Sequence, residues 1–414
     1  METTFDRRKS RLRNVFSVVS IGPAEYLEQQ LVRRLEPVEH GALAITFPSG
    51  RRRVVRGRKG GAEADVTIYT LGLLWRLAVS GELGAAEGYL AGEWDTPDLM
   101  ALMTFVAENE NALSDLFRQS WFMHQANRLA HAMNNNTKSG SRRNIAAHYD
   151  LGNAFYSRWL DRTMTYSAAV FDRDDEPLDV AQQRKYRRLA QAIDLKAGDR
   201  VLEIGCGWGG FAEYAACEIG CSLVCLTLSS EQAAFAKQRM AKAGIGDRVE
   251  IRLQDYRDVQ GVFDKVVSIE MFEAVGEAYW PAFFDVLRQR LKPGGKAAMQ
   301  VITIDEDAFD IYRHRPDFIQ RYIFPGGMLP SPTAFEAAAR MSDLTLTEQT
   351  FHGASYAETL RRWRRAFRRA WPEILPLGFD DRFYRMWLYY LAYCETGFEN
   401  GRIDVGHFIL SRDQ

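Results

Sequence analysis

Val201-Leu-Glu-Ile-Gly-Cys-Gly-Trp-Gly-Gly210 is a buried-strand run that ends in a carboxylate and breaks into a glycine turn. Phe211-Ala-Glu-Tyr-Ala-Ala216, directly after it, is compatible with a helix. Glycines at 205, 207, 209 and 210 let the backbone approach a ligand closely, and a new helix presents free N–H groups at the same place. The stretch predicts a strand–turn–helix unit that holds an adenosine-bearing cofactor.

The spacing of Gly205, Gly207 and Gly210 also satisfies a dinucleotide fingerprint. That fingerprint wants an acid about 20 residues on, at the tip of the second strand, to hold a ribose. Here the second strand, Ser222-Leu-Val-Cys-Leu-Thr-Leu228, ends in Thr227 and Leu228 and is followed by Ser229 and Ser230. The acids stand elsewhere, at Glu203 before the glycines and at Asp255 after the third strand. A carboxylate beside the turn repels a pyrophosphate but suits the ammonium and sulfonium charges of S-adenosylmethionine. The methyl donor is the better reading.

Apolar runs at Val249–Leu253, Asp264–Ile269 and Lys296–Ile304 alternate with helical segments at Ser230–Ala243 and Glu277–Leu291. Lys292-Pro-Gly-Gly295 reads as a turn that ends the last of these helices. The alternation predicts an α/β domain, a Rossmann-like, doubly wound and mostly parallel sheet. In such sheets ligands lie beyond the carboxyl ends of the strands, where Glu203, Thr227 and Asp255 fall.

At 414 residues the chain exceeds one average domain. Hydrophobic content of 46% with a net charge of −1 describes an ordinary globular protein. Asn134-Asn-Asn-Thr-Lys-Ser-Gly-Ser-Arg-Arg143 is polar and contains glycine, so it reads as a linker. It divides a smaller N-terminal mixed α+β domain, 1–133, from a catalytic domain, 144–414. In the former, Leu43-Ala-Ile-Thr-Phe47 and Arg53-Val-Val55 suggest strands, with helical segments from Leu71 to Leu129.

The first residues lack the apolar core of a signal peptide, and Arg76 interrupts the apolar run Leu71–Val79. Five cysteines without a Cys-x-x-Cys pair point to reduced thiols, and a cytoplasmic location is expected. Seven scattered histidines show no metal-ligand spacing, so no metal is expected. Basic clusters occur at Arg7–Arg13, at Arg51–Lys59 and at Arg361-Arg-Trp-Arg-Arg-Ala-Phe-Arg-Arg-Ala-Trp371. Arg361, Arg365 and Arg368 share a helix face by spacing. No nucleic-acid motif accompanies them, so nucleic acid is not expected as a partner. Basic side chains among Trp and Phe suit an anionic lipid surface, where each charge contributes about 1 kcal/mol.

Further motifs stand in order along the chain. His148-Tyr-Asp-Leu-Gly-Asn153 and Met164-Thr-Tyr-Ser167 precede the glycine turn. Leu226-Thr-Leu-Ser229 with Gln232, Asp255-Tyr-Arg-Asp258 and Met271-Phe-Glu-Ala-Val-Gly276 come after it. Tyr322-Ile-Phe-Pro-Gly-Gly327 and Tyr356-Ala-Glu-Thr-Leu360 complete the series. In this order the chain resembles the cyclopropane-fatty-acyl-phospholipid synthases and the related mycolic acid methyltransferases. The resemblance runs from about residue 144 to the end, and more weakly through Glu87-Gly-Tyr-Leu-Ala-Gly-Glu-Trp-Asp95 into the N-terminal domain.

The resemblance implies a class I methyltransferase fold, S-adenosylmethionine as donor and the double bond of an unsaturated phospholipid acyl chain as acceptor. It places the enzyme at the inner face of the membrane as a peripheral protein, and it is compatible with a homodimer. Tyr149, Tyr166, Ser167, Gly205, Gly207, Thr227, Gln232 and Asp255 would line the donor site, beside Glu203. Methyl transfer to an alkene leaves a carbocation, which needs apolar and aromatic walls, water exclusion and a proton acceptor. Candidate walls are Phe171, Phe272, Tyr322 and Phe324.

In the synthases the implied proton acceptor is a bound bicarbonate, cradled by Cys, Glu, His and Tyr. In this chain those positions read Ala168, Glu273, Gln300 and Tyr356, with Ile302 beyond the glutamine. Gln300 can still donate a hydrogen bond to an anion. Alternatively Glu273, or Glu270 three residues earlier, takes the proton directly. The product is then a cyclopropane or a methyl- or methylene-substituted chain. Two other readings stay open: a methyltransferase for another lipid or hydrophobic small molecule, and a lipid-binding homologue whose active site has decayed.

Overall fold

The computed structural model describes residues 22–114, 116–117, 151–173 and 175–413. The linker at 134–143, the Arg7–Arg13 cluster and Tyr149 lie outside these residues. Seven strands form the larger sheet: β5 (Arg200–Ile204), β6 (Ser222–Thr227), β7 (Val249–Leu253), β8 (Phe263–Ile269), β9 (Leu291–Ile304), β10 (Leu344–Phe351) and β11 (Ile403–Arg412). Their order is β10-β11-β9-β8-β5-β6-β7. β5 through β9 pair in parallel, whereas β11 runs antiparallel to both β9 and β10.

Strands covered on both faces need apolar residues in both alternating positions. β5 shows this directly, because Val201 packs into one core layer while Leu202 and Ile204 pack into the other. Helices Leu178–Ala192 and Ser230–Lys242 cover the first layer with Leu189, Ala236 and Met240. Helices Trp280–Arg290 and Pro332–Arg340 cover the second with Phe283, Leu287 and Phe335. The chain leaves β5 toward β6 on one side and reaches β8 on the other, which opens a crevice at the glycine turn.

β10 and β11 were not evident from the sequence. β10 is an exposed edge strand with a polar pattern, and it lacks the apolar run that marks a buried strand. Lys292–Gly295 also differs from expectation. The preceding helix does stop at Arg290, but the segment is drawn into β9 as an irregularity between the pairs Phe263–Leu291 and Lys265–Lys296.

The N-terminal sheet has β1 (His40–Thr46), β2 (Arg52–Arg56), β3 (Lys59–Ile68) and β4 (Trp94–Asp95) in the order β2-β1-β3-β4. Helices Pro23–Leu35, Gly72–Leu90 and Leu99–Glu108 pack with it. One hydrophobic core runs without a break from these elements into helices Gly353–Ile374 and Asp381–Glu399 of the catalytic domain.

Polar contacts fix the same junction. The Arg385 guanidinium donates to the carbonyls of Tyr89 and Trp94, contacts Asp95, and lies 3.9 Å from the centre of the Tyr89 ring. Removing it takes a donor from two partly buried carbonyls, of which that of Tyr89 keeps the Gly92 N–H. Arg385→Ala should therefore lower unfolding free energy by about 2–3 kcal/mol in a denaturant titration. Arg385→Lys should recover only part of this, because an ammonium cannot serve three acceptors in one plane.

Candidate active site

A single cavity of about 1000 Å³ begins at the glycine turn and extends between the two domains. Gly205 and Gly207 adopt left-handed backbone, at φ 85° and 51°. A Cβ on Gly205 would meet the Met271 side chain at 2.7 Å, whereas the space beside Gly207 is open. Arg239 braces the turn by donating to the carbonyls of Thr163 and Trp208, and the Trp208 indole donates to Asn153.

Glu203, Thr227 and Gln232 reach the same end of the cavity. Thr227 Oγ1 donates to Gln232 Oε1 over 2.9 Å, so the Gln232 amide oxygen is engaged within the site. Glu203 is buried, its Oε2 has no hydrogen-bond partner among the described residues, and burial pushes its carboxyl up to about 7. An unpartnered carboxylate oxygen beside an open glycine turn fits a cationic adenosyl donor. Tyr166 and Ser167 line the cavity as well.

Asp255 behaves differently from expectation. Its carboxylate is engaged by the Arg257 guanidinium at 2.7 Å and by the Arg257 backbone N–H, and it does not line the cavity. Its neighbours Gln254 and Tyr256 do. The aromatic walls also differ. Phe272 is sealed in a core of Trp280, Phe283, Phe284 and Phe335, Phe171 lies under Arg362, and Tyr322 donates to Glu87. Of those four only Phe324 lines the cavity, where Tyr166, Tyr356 and Tyr390 join it. A short 3-10 turn over Phe272–Ala274 sends Phe272 inward and Glu273 toward the cavity.

The acceptor end holds two acids. Glu273 Oε1 accepts from the Ile302 backbone N–H at 2.5 Å, while its Oε2 has no partner among the described residues. Burial, and then the nearby Glu270 charge, push Glu273 up to about 8. Glu270 is more fully satisfied. Its Oε1 accepts from the Ala168 N–H at 2.7 Å and from Gln300 Nε2 at 2.6 Å, and its Oε2 accepts from the Tyr356 hydroxyl at 2.6 Å. Burial raises its pKa, against which Lys185 and these donors pull it down.

Three supporting residues escaped the sequence reading. Lys185 is fully buried and donates to Ser167 Oγ at 2.6 Å, although its helix reads as polar and solvent-facing. His407 stands opposite Gln300 in the β11–β9 register and its Nε2 lies 2.9 Å from Gln300 Oε1. Burial holds the His407 ring well below its usual pKa, so it is neutral and its N–H can fix the glutamine amide. Tyr390 meets the Tyr166 hydroxyl at 2.8 Å. Long separation in sequence left no signal for any of the three. Among the described residues no cluster could hold a metal ion.

A family model described as mycolic acid cyclopropane synthetase matches residues 136–408. The chain belongs to that family. It is 41% identical over 357 residues to the tuberculostearic acid methyltransferase UfaA1 of Mycobacterium tuberculosis, covering 82% of this chain and 81% of that one. It is 36% identical over 359 residues to the cyclopropane-fatty-acyl-phospholipid synthase of Escherichia coli, covering 85% and 89%. Among solved structures, the mycolic acid cyclopropane synthase CmaA1 complexed with SAH and CTAB aligns with a TM-score of 0.62 at 31% identity. That alignment covers 66% of this chain and 98% of CmaA1. The protein is an S-adenosylmethionine-dependent methyltransferase of the fatty-acid and cyclopropane-synthase type, with the class I methyltransferase fold.

The raised Glu203 carboxyl makes donor binding depend on pH. Protonation removes the charge that attracts the donor's cationic groups, so affinity measured by calorimetry should rise as pH increases through about 7. Glu203→Gln should weaken binding above that pH by about tenfold and flatten the dependence, one charge-assisted contact being lost.

Proposed function

We propose that the protein transfers the methyl carbon of S-adenosylmethionine to the double bond of an unsaturated acyl chain carried by a membrane phospholipid. The product is a cyclopropane or a methyl- or methylene-substituted chain. The observation that carries this reading is the continuity of the cavity. One end is the glycine turn with Glu203 and Gln232, and the other is walled by apolar side chains of the N-terminal domain such as Leu31, Ile45, Leu77 and Phe105. Its volume of about 1000 Å³ stands at the upper end of the range for small-molecule sites. An extended apolar substrate matches it better than a compact polar one.

When bound, the donor supplies an electrophilic methyl group on a sulfonium. The chain's own residues hold the alkene against it, exclude water and supply aromatic faces to the developing cation through Tyr166, Tyr356 and Tyr390. The bicarbonate that the family resemblance implied does not fit the acids and donors observed. Ala168, Gln300 and Tyr356 already hold the Glu270 carboxylate.

Binding at a lipid surface is supported by exposed rings on the N-terminal domain, Trp75 and Tyr69, at 73% and 55% of full exposure. The basic clusters contribute less than their composition suggests. Arg361 and Arg364 pair with Glu358, Glu395 and Glu399, and Arg51, Arg52, Arg56 and Lys59 each face an acid. Arg365, Arg368 and Arg369 are exposed on helix Gly353–Ile374. No helix among the described residues is long and apolar enough to cross a membrane.

With methyl-labelled donor and vesicles of unsaturated phospholipid, label should appear in the released fatty acids and should be absent with saturated phospholipid. Label found only in headgroups or in soluble molecules overturns the reading. Mass spectra of the released chains separate a ring from a methylene group. Trp75→Ala should reduce vesicle co-sedimentation severalfold while leaving donor affinity unchanged, and added salt should weaken what binding is left.

A further inference from the structure

Five features of Glu270 set it apart from an ordinary buried acid. It follows β8 at φ 48°, a left-handed conformation that a glutamate rarely adopts. Its backbone N–H donates to the Gln300 carbonyl at 2.8 Å, which fixes that conformation against β9. Its carboxylate lines the cavity. Both of its oxygens accept hydrogen bonds, from Ala168, Gln300 and Tyr356. Behind those donors stands a second layer, in which His407 orients Gln300 and the buried Lys185 side chain donates to Ser167, next in the chain to Ala168. Non-glycine residues kept in such backbone regions cluster where function over-determines them.

The donors are the same positions that the family resemblance assigned to a bicarbonate cradle. Two of them, Ala168 and Gln300, depart from the family pattern, and both departures serve Glu270. Alanine at 168 leaves no side chain in the seat and lends only its N–H. Glutamine at 300 turns one amide N–H toward the carboxylate, and its oxygen faces His407.

We propose that Glu270 is a built-in replacement for the exogenous anion and is itself the proton acceptor of the reaction. This rests on the proposed transfer to an acyl double bond. The electron pair of the alkene forms the new bond to the methyl carbon, and the sulfur keeps the pair of the broken S–C bond. Glu270 then takes a proton from a carbon of the resulting cation, whose C–H electrons close the ring or form the new double bond. The carboxylic acid so formed gives its proton to water when the product leaves. Glu273, one oxygen committed to the Ile302 N–H, flanks the acceptor and shapes the site.

The test compares the parent enzyme with Glu270→Gln and Glu270→Gly in buffer depleted of carbon dioxide, with labelled donor and unsaturated phospholipid vesicles. The parent should keep its rate within about twofold on depletion. Both variants should lose about 100-fold or more of turnover, the range of a lost general base. Calorimetry should show unchanged donor affinity in both, which separates loss of chemistry from loss of fold; glycine suits the left-handed position. Added bicarbonate should restore part of the activity of Glu270→Gly, whose seat is vacated, and none of Glu270→Gln, whose amide fills it. A parent that stops on depletion and recovers with bicarbonate overturns the inference, as does a Glu270→Gln variant that turns over normally. If the parent labels no acyl chain under any condition, the underlying assignment of the substrate fails instead.

Discussion

Three carboxylates surround one cavity, Glu203 buried and Glu270 and Glu273 partly buried, and keeping each in a water-poor interior is the constraint to which the rest of the site answers. Glu203 ends near the tip of β5, and Glu270 and Glu273 follow β8. An ionised carboxylate out of water is costly unless hydrogen bonds or an opposite charge offset it. The structure meets that demand unequally. Glu203 and Glu273 each keep one buried oxygen without a partner among the described residues, whereas Glu270 has donors on both oxygens with Lys185 nearby. Burial raises all three carboxyls, Glu203 to about 7 and Glu273 to about 8, and at Glu270 Lys185 and the three donors oppose that rise.

Water exclusion is the second demand, and it joins the two domains. The core that passes from the N-terminal sheet into helices Gly353–Ile374 and Asp381–Glu399 is also a wall of the cavity. Arg385 and the Tyr322–Glu87 contact hold that wall in place. The N-terminal sheet and helices are therefore part of the site's lining.

How legible the site was depended on how local each signal is. The glycine turn, Glu203, Thr227 and Gln232 fall within about one strand–helix–strand unit, so spacing alone places them at one strand end. Asp255 was expected to line that end, but Arg257, two residues on, takes its carboxylate, and its neighbours Gln254 and Tyr256 line the cavity instead. A pair so close in sequence is invisible to motif reading because the motif records a residue's identity and not its rotamer. Phe272 and Glu273 show the same limit: adjacent residues in a tight turn point to a core and to a cavity.

The sequence by itself determined a parallel α/β domain, its cofactor crevice and the family of chemistry, because periodicity, glycine spacing and ordered motifs are short-range features of the chain. Only the tertiary structure decided which acid occupies the anion seat. That seat draws on Ala168, Glu270, Gln300 and Tyr356, with Lys185 and His407 behind them, residues that come from six separate stretches of chain. Their meeting depends on the β8–β9–β11 register and on the left-handed turn at Glu270, and hydrogen bonds over such separations leave no pattern to read before the sheet has formed.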